Sequence, residues 1–129
     1  MHAHEEATIR AFVHPPRRPR WLESLASAER RSRFLARLNH CRDLDERYAR
    51  LLPSNADVVA ILRRCGAPAT CYVVSATMAL DGREMPLEEA VAEASQGGWG
   101  TILSCLPGQL AYYHDECGER RLLLERRSS

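Results

Sequence analysis

Apolar residues in the last third of the chain fall into three short runs separated by two turn signals. Thr101–Leu106 follows Gly98-Trp99-Gly100, Pro107-Gly108 leads to Leu110–His114, and Cys117-Gly118 leads to Arg121–Glu125. This pattern predicts an antiparallel three-strand meander. With a two-residue turn at each break, Thr101, Leu103, Cys105, Leu110, Tyr112, His114, Arg121, Leu123 and Glu125 share one face. Ile102, Ser104, Leu106, Ala111, Tyr113, Leu122 and Leu124 share the other. The second face reads as core. The first is mixed, with leucines in the middle and polar groups around them.

Upstream, apolar positions recur at helical steps. Leu35, Leu38, Cys41, Leu44, Tyr48, Leu51 and Leu52 suggest one long amphipathic helix from about Ala28, capped by Ser27 and stopped by Pro53. Asn39-His40 is its weak point. A second helix is expected from Ala56 to Arg64 or Cys65, with Gly66 ending it. Cys71–Ala76 is rich in β-formers and reads as a strand. Pro86 opens a helix whose stripe is Leu87, Ala90, Val91 and Ala94. The expected fold is therefore α+β. One mainly antiparallel sheet of about four strands (a strand, a helix, then the meander) packs with an N-terminal pair of helices, one of them long.

Residues 1–20 read as an extended or partly disordered arm, and 21–129 as a single α+β domain. Pro15, Pro16 and Pro19 exclude a helix interior there, and Thr8–Val13 would suit a short edge strand. At 129 residues, 45% of them hydrophobic and 27% charged, the chain has the proportions of one globular domain. No apolar run reaches the length of a membrane span, and the first residues show no apolar signal-peptide core. The expectation is a cytoplasmic protein without a membrane partner.

Charge sharpens this picture. All 18 basic residues are arginine, a usage that fits a GC-rich genome of bacterial style. Without lysine, the chain lacks a Walker phosphate loop, a Schiff-base lysine and a Ser-x-x-Lys hydrolase motif. The arginines are also unevenly placed: residues 1–65 hold 13 against 8 carboxylates, and residues 66–129 hold 5 against 9. The two halves would complement each other within one fold, or the basic half would form a nucleic-acid footprint. The residues for that footprint are Arg17, Arg18, Arg20 and Trp21 in the arm, with Arg30 and Arg33 on the long helix. Trp21 would otherwise simply pack beside Leu22 and Leu25.

Five cysteines without a Cys-x-x-Cys pair suggest reduced thiols. Cys105, His114 and Glu125 share the mixed face and supply the groups of a cysteine nucleophile: a thiolate, a base and a carboxylate to orient it. The competing expectation is an inert core thiol. His114 with Cys117, and His40 with Cys41, lack the paired four-ligand spacing of zinc, so no metal and no cofactor are expected. An exposed mixed face would offer Leu103, Leu110, Tyr112, Arg121 and Leu123 to a protein partner or to a second copy in a homodimer. The chain thus reads first as a non-enzymatic protein-interaction or regulatory module. Nucleic-acid binding is the alternative, and thiol chemistry at Cys105 the second.

Overall fold

In the computed structural model, which describes residues 1–127, the fold is α+β and the sheet is entirely antiparallel. The elements run α1 (Ala3–Phe12), α2 (Arg18–Ala26), α3 (Ala28–Leu35), β1 (Ala49–Leu51), α4 (Val58–Arg64), β2 (Thr70–Ser75), β3 (Glu84–Pro86), α5 (Leu87–Gln96), β4 (Thr101–Leu106), β5 (Leu110–His114) and β6 (Arg121–Glu125). The sheet has six strands in the order β1-β6-β5-β4-β2-β3. The expected four are its centre, while β1 and β3 were not anticipated. Each of these edge strands is three residues long, too short to show an alternating pattern.

The meander has the expected register. Leu103 lies opposite Tyr112, and Tyr112 opposite Leu123. One irregularity interrupts β4 between Ser104 and Leu106, which puts Cys105 at a bulge.

Both faces of this sheet are covered. Ile102, Ala111, Tyr113, Leu122 and Leu124 meet Ile9, Phe12, Trp21, Leu25, Leu35 and Leu38 from the N-terminal helical layer. Leu103, Cys105, Leu110, Tyr112 and Leu123 meet Val58 and Leu62 of α4 and Leu87, Ala90 and Val91 of α5. The mixed face is therefore an interior, closed mainly by α4 and α5.

The first twenty residues are not an arm. Glu5, Thr8, Ile9 and Phe12 recur at helical spacing on the buried side of α1, a period that β-propensity alone conceals. The imidazole of His2 accepts a hydrogen bond from the His4 N–H at 3.1 Å and caps the helix. Pro15 and Pro16 begin a single 3-10 turn, and Pro19 sits in the first turn of α2. The prolines thus stand at helix starts, where a missing N–H costs nothing.

The long helix is also absent. The α-helix α3 stops at Leu35, a 3-10 turn runs from Ala36 to His40, and the chain then extends to a bridge between Val13 and Leu44. The buried positions Leu35, Leu38, Cys41 and Leu44 are spaced by strict threes. That spacing suits a 3-10 turn followed by extended chain better than an α-stripe. Tertiary bonds hold the break in place. The Tyr113 hydroxyl donates to the Leu38 carbonyl at 2.6 Å and accepts from the Cys41 N–H at 3.0 Å. The Asn39 side chain accepts from the Gly100 N–H at 2.8 Å. Gly100 is required by that close approach, since a Cβ there would lie 1.9 Å from the Leu38 carbonyl oxygen.

Ser27 caps α3 as expected, accepting from the Arg30 N–H at 3.3 Å. The cap of α4 is Asp57, whose carboxylate accepts from the Ala60 N–H at 3.1 Å. None of the described helices is long and apolar enough to cross a membrane.

Candidate functional site

The proposed thiol group does not assemble. Cys105 is 2% exposed. Burial, with a smaller contribution from the neighbouring Cys71 and Cys65 thiols, pushes its thiol up to about 12, so a nucleophilic thiolate is disfavoured. His114 lies opposite Thr101, whereas Cys105 lies at the Leu110 end of the same strand pair. Four residues of strand separate the two ends, about 13 Å. The His114 Nδ1 instead bonds the Asp115 carbonyl at 2.7 Å, and burial lowers its pKa. Glu125 lies opposite Leu110 and pairs with Arg127 at 2.8 Å.

The expected partner face is likewise internal. Leu103, Leu110 and Tyr112 are fully buried and Leu123 nearly so, which removes them from any dimer seam or docking patch. Arg121 is half-exposed at the rim, and its Nη2 donates to the Pro53 carbonyl. Among the described residues no group of three or more His, Cys, Asp or Glu could hold a metal.

The arginines of the basic half behave differently. Trp21 is buried, its ring meets Phe34 edge-on, and its Nε1–H donates to Asp43 Oδ2 at 2.9 Å. It packs and is closed to base stacking. Arg17, Arg18, Arg20, Arg30 and Arg33 stay at the surface, wholly or in part. Arg18 lines a concavity of about 670 Å³ with Arg10, Tyr48, Arg126, Arg127 and the turn Gly108-Gln109. Arg20, Arg30 and Arg33 line a second, of about 460 Å³, with Arg37.

Five segments converge on the first concavity. Arg10 comes from the last turn of α1 and Arg18 from the first turn of α2. Tyr48 ends a 3-10 turn capped by Asp45, whose carboxylate accepts from the Arg47 N–H at 3.1 Å. Arg126 follows β6, and its N–H donates to the Gln109 carbonyl at 2.9 Å, tying it to the β4–β5 turn. Gly108 turns with φ +70°, and a Cβ there would come within 3.5 Å of the Ala7 carbonyl oxygen. That distance is ordinary van der Waals contact, so the glycine serves the turn.

Two of these guanidiniums are fixed by neutral acceptors. The Arg18 Nε donates to the Val13 carbonyl at 2.8 Å. The Arg126 Nη1 donates to the Ala11 carbonyl at 3.3 Å, and its Cζ stands 4.5 Å from the Tyr48 ring centroid. Each is oriented without losing its charge to a carboxylate, and each keeps donors for an oxyanion. Arg10 and Arg127 pair with Glu6 at 3.7 Å and Glu125 at 2.8 Å, but among the described residues no carboxylate lines the concavity itself. An anion entering it meets two guanidiniums already aimed, Arg18 and Arg126, and two others, Arg10 and Arg127, that are paired with carboxylates.

Of these residues only Arg18 was a candidate from the sequence. Positions 10, 48, 126 and 127 have no linear spacing that connects them. The one available signal was the Arg126-Arg127 pair directly after the last strand. A scan of protein-family models, a search of curated proteins and a search of solved structures each return no match.

Proposed function

We propose that this protein is a non-catalytic binding module for a phosphate-bearing ligand held by Arg10, Arg18, Arg126 and Arg127. The observation that carries this reading is the pair Arg18 and Arg126, both anchored on backbone carbonyls of the segment Ala11–Val13. Among the described residues neither guanidinium neutralises a carboxylate, in contrast to Arg31, which bridges Glu5 and Asp81. Arginine also matches phosphate better than lysine, because its planar fork donates two parallel hydrogen bonds.

The protein-interaction role expected from the mixed sheet face has lost its surface. In its place stands an anion site, through which a phosphorylated partner or a phosphate ester would be recognised. The interior position of Cys105 supports the non-catalytic part of the reading. A thiol reagent at neutral pH should modify exposed Cys117 readily, and Cys105 only on unfolding.

Calorimetric titration with pyrophosphate at low ionic strength tests the site. Saturable binding is expected, and replacing Arg18 and Arg126 together by Gln should weaken it at least tenfold with the fold intact by circular dichroism. Absence of binding by the unaltered protein, or an unchanged affinity in the double variant, rejects the assignment.

A further inference from the structure

The second concavity extends this site, and the two together define the ligand. We infer that the ligand is the phosphodiester backbone of a nucleic acid, bound across α2 without reading of its bases; this inference rests on the anion site proposed above. Both concavities draw on α2: Arg18 lines the first, and Arg20, Glu23 and Ser24 line the second. Positions two apart on a helix point to opposite sides, so α2 forms the wall between them.

The positive charge continues around the N-terminal end of that helix. Arg17 lies 4.0 Å from Asp43 Oδ1, and Arg37, which lines the second concavity, lies 3.2 Å from Asp43 Oδ2. Asp43 is buried and also accepts from Trp21. It ties the two arginines together and presents little negative charge to solvent. Among the described residues Glu23 is the one carboxylate lining either concavity, and it pairs with Arg30 at 3.7 Å. Among the described residues Arg20 and Arg33 have no carboxylate partner.

A ligand that reaches both concavities has to span roughly the width of a helix, about 10 Å. A single phosphate or a pyrophosphate is too short for that, whereas a chain carrying a phosphate at every residue is suited to it. The aromatic rings favour backbone over base contacts. Arg126 lies over Tyr48, and Arg37 stands 5.2 Å from the Phe34 centroid. Both rings already have a guanidinium stacked on them, and Trp21 is buried. Among the residues that line the two concavities, no open aromatic ring is offered to a base, as sequence-tolerant stacking would require.

The test measures fluorescence anisotropy with labelled single strands of two unrelated sequences, from low to physiological salt. Equal affinities are expected for the two sequences, with the logarithm of the binding constant falling linearly against the logarithm of salt. Replacing Arg20, Arg30 and Arg33 by Gln should make that slope shallower by about 2 to 3 while leaving pyrophosphate binding unchanged. Polyglutamate at equal charge should displace the strand poorly, since it lacks the phosphate geometry that the guanidinium fork matches. Equal displacement by polyglutamate overturns the inference in favour of an acidic polypeptide. An unchanged salt slope in the triple variant overturns the role of the second concavity. Pyrophosphate binding without strand binding overturns the nucleic-acid ligand and leaves the anion site standing. Binding of neither overturns both.

Discussion

Tyr112 and Tyr113 are chain neighbours, both fully buried, and they report on two unlike halves of the molecule. Tyr113 points into the N-terminal helical layer, where its hydroxyl makes two hydrogen bonds to backbone at Leu38 and Cys41. Tyr112 points toward α4 and α5, and its hydroxyl has no hydrogen-bond partner among the described residues. Arg121 is near enough to favour the phenolate charge, but burial dominates and the phenol is pushed up to about 12.

The contrast extends across the whole sheet. On the α4–α5 side the fold is held by aliphatic contact. On the other side polar groups fix the helices: Arg31 bridges Glu5 and Asp81, Thr8 and His4 meet Ser104, and Asn39 holds Gly100. Apolar packing tolerates rearrangement, whereas hydrogen bonds set direction. The directed layer is also the one that carries the arginine-lined concavities. Precise placement of α1 and α2 is what aims Arg10, Arg18 and Arg20.

The strongest way to break the directed side is Gly100→Ala. The new Cβ would meet backbone at 1.9 Å, and backbone cannot rotate away as a side chain can. We expect a loss above about 4 kcal/mol by chemical denaturation, or failure to fold. Next comes Arg31→Met, which strands a buried Glu5 beside Asp81. Its expected cost is about 3 kcal/mol, reduced from that of a fully buried pair because Arg31 keeps some solvent contact. Adding Glu5→Gln and Asp81→Asn should recover much of that loss, and no recovery would argue against an uncompensated charge.

Removing the two hydroxyls tests the contrast most sharply. Tyr113→Phe should cost about 1 to 3 kcal/mol, because the buried Cys41 N–H loses its acceptor. Tyr112→Phe should be neutral or slightly stabilising, because it removes a polar atom that has no partner. The smallest effect is one of pH. Burial lowers the folded-state pKa of His114 below the ordinary 6.5. The unfolded chain therefore takes up its proton first, and stability falls as pH drops through 6.5 toward the folded value. His114→Gln should flatten that part of the melting-temperature profile.

These differences also explain what the sequence could show. The meander, its register and most of its face assignments were legible, because alternation and turn chemistry are local; Leu106 was not, since the irregularity in β4 turns it to the α4–α5 side. The cover on the mixed face was not. Leu103 and Tyr112 carry no mark that distinguishes packing under α5 from packing against a partner. The N-terminal third was misread where long-range bonds decide local form. Asn39 to Gly100 and Tyr113 to Leu38 join positions more than sixty residues apart, and they override the helical period of residues 28–52. The arginines of the footprint were found in part. Arg17, Arg18, Arg20, Arg30 and Arg33 lie close together in sequence, whereas Arg10, Arg126 and Tyr48 are gathered only by the fold.

The central claim is that one side of the sheet packs and the other side binds. The most direct measurement is the arginine Nε–Hε region of a nitrogen–proton correlation spectrum, recorded during titration with pyrophosphate. The account predicts shifts concentrated at Arg18 and Arg126, with Arg63 on the α4 side unmoved where it pairs with Glu88. Shifts centred on Arg63 and Arg64, with Arg18 and Arg126 unmoved, would contradict it.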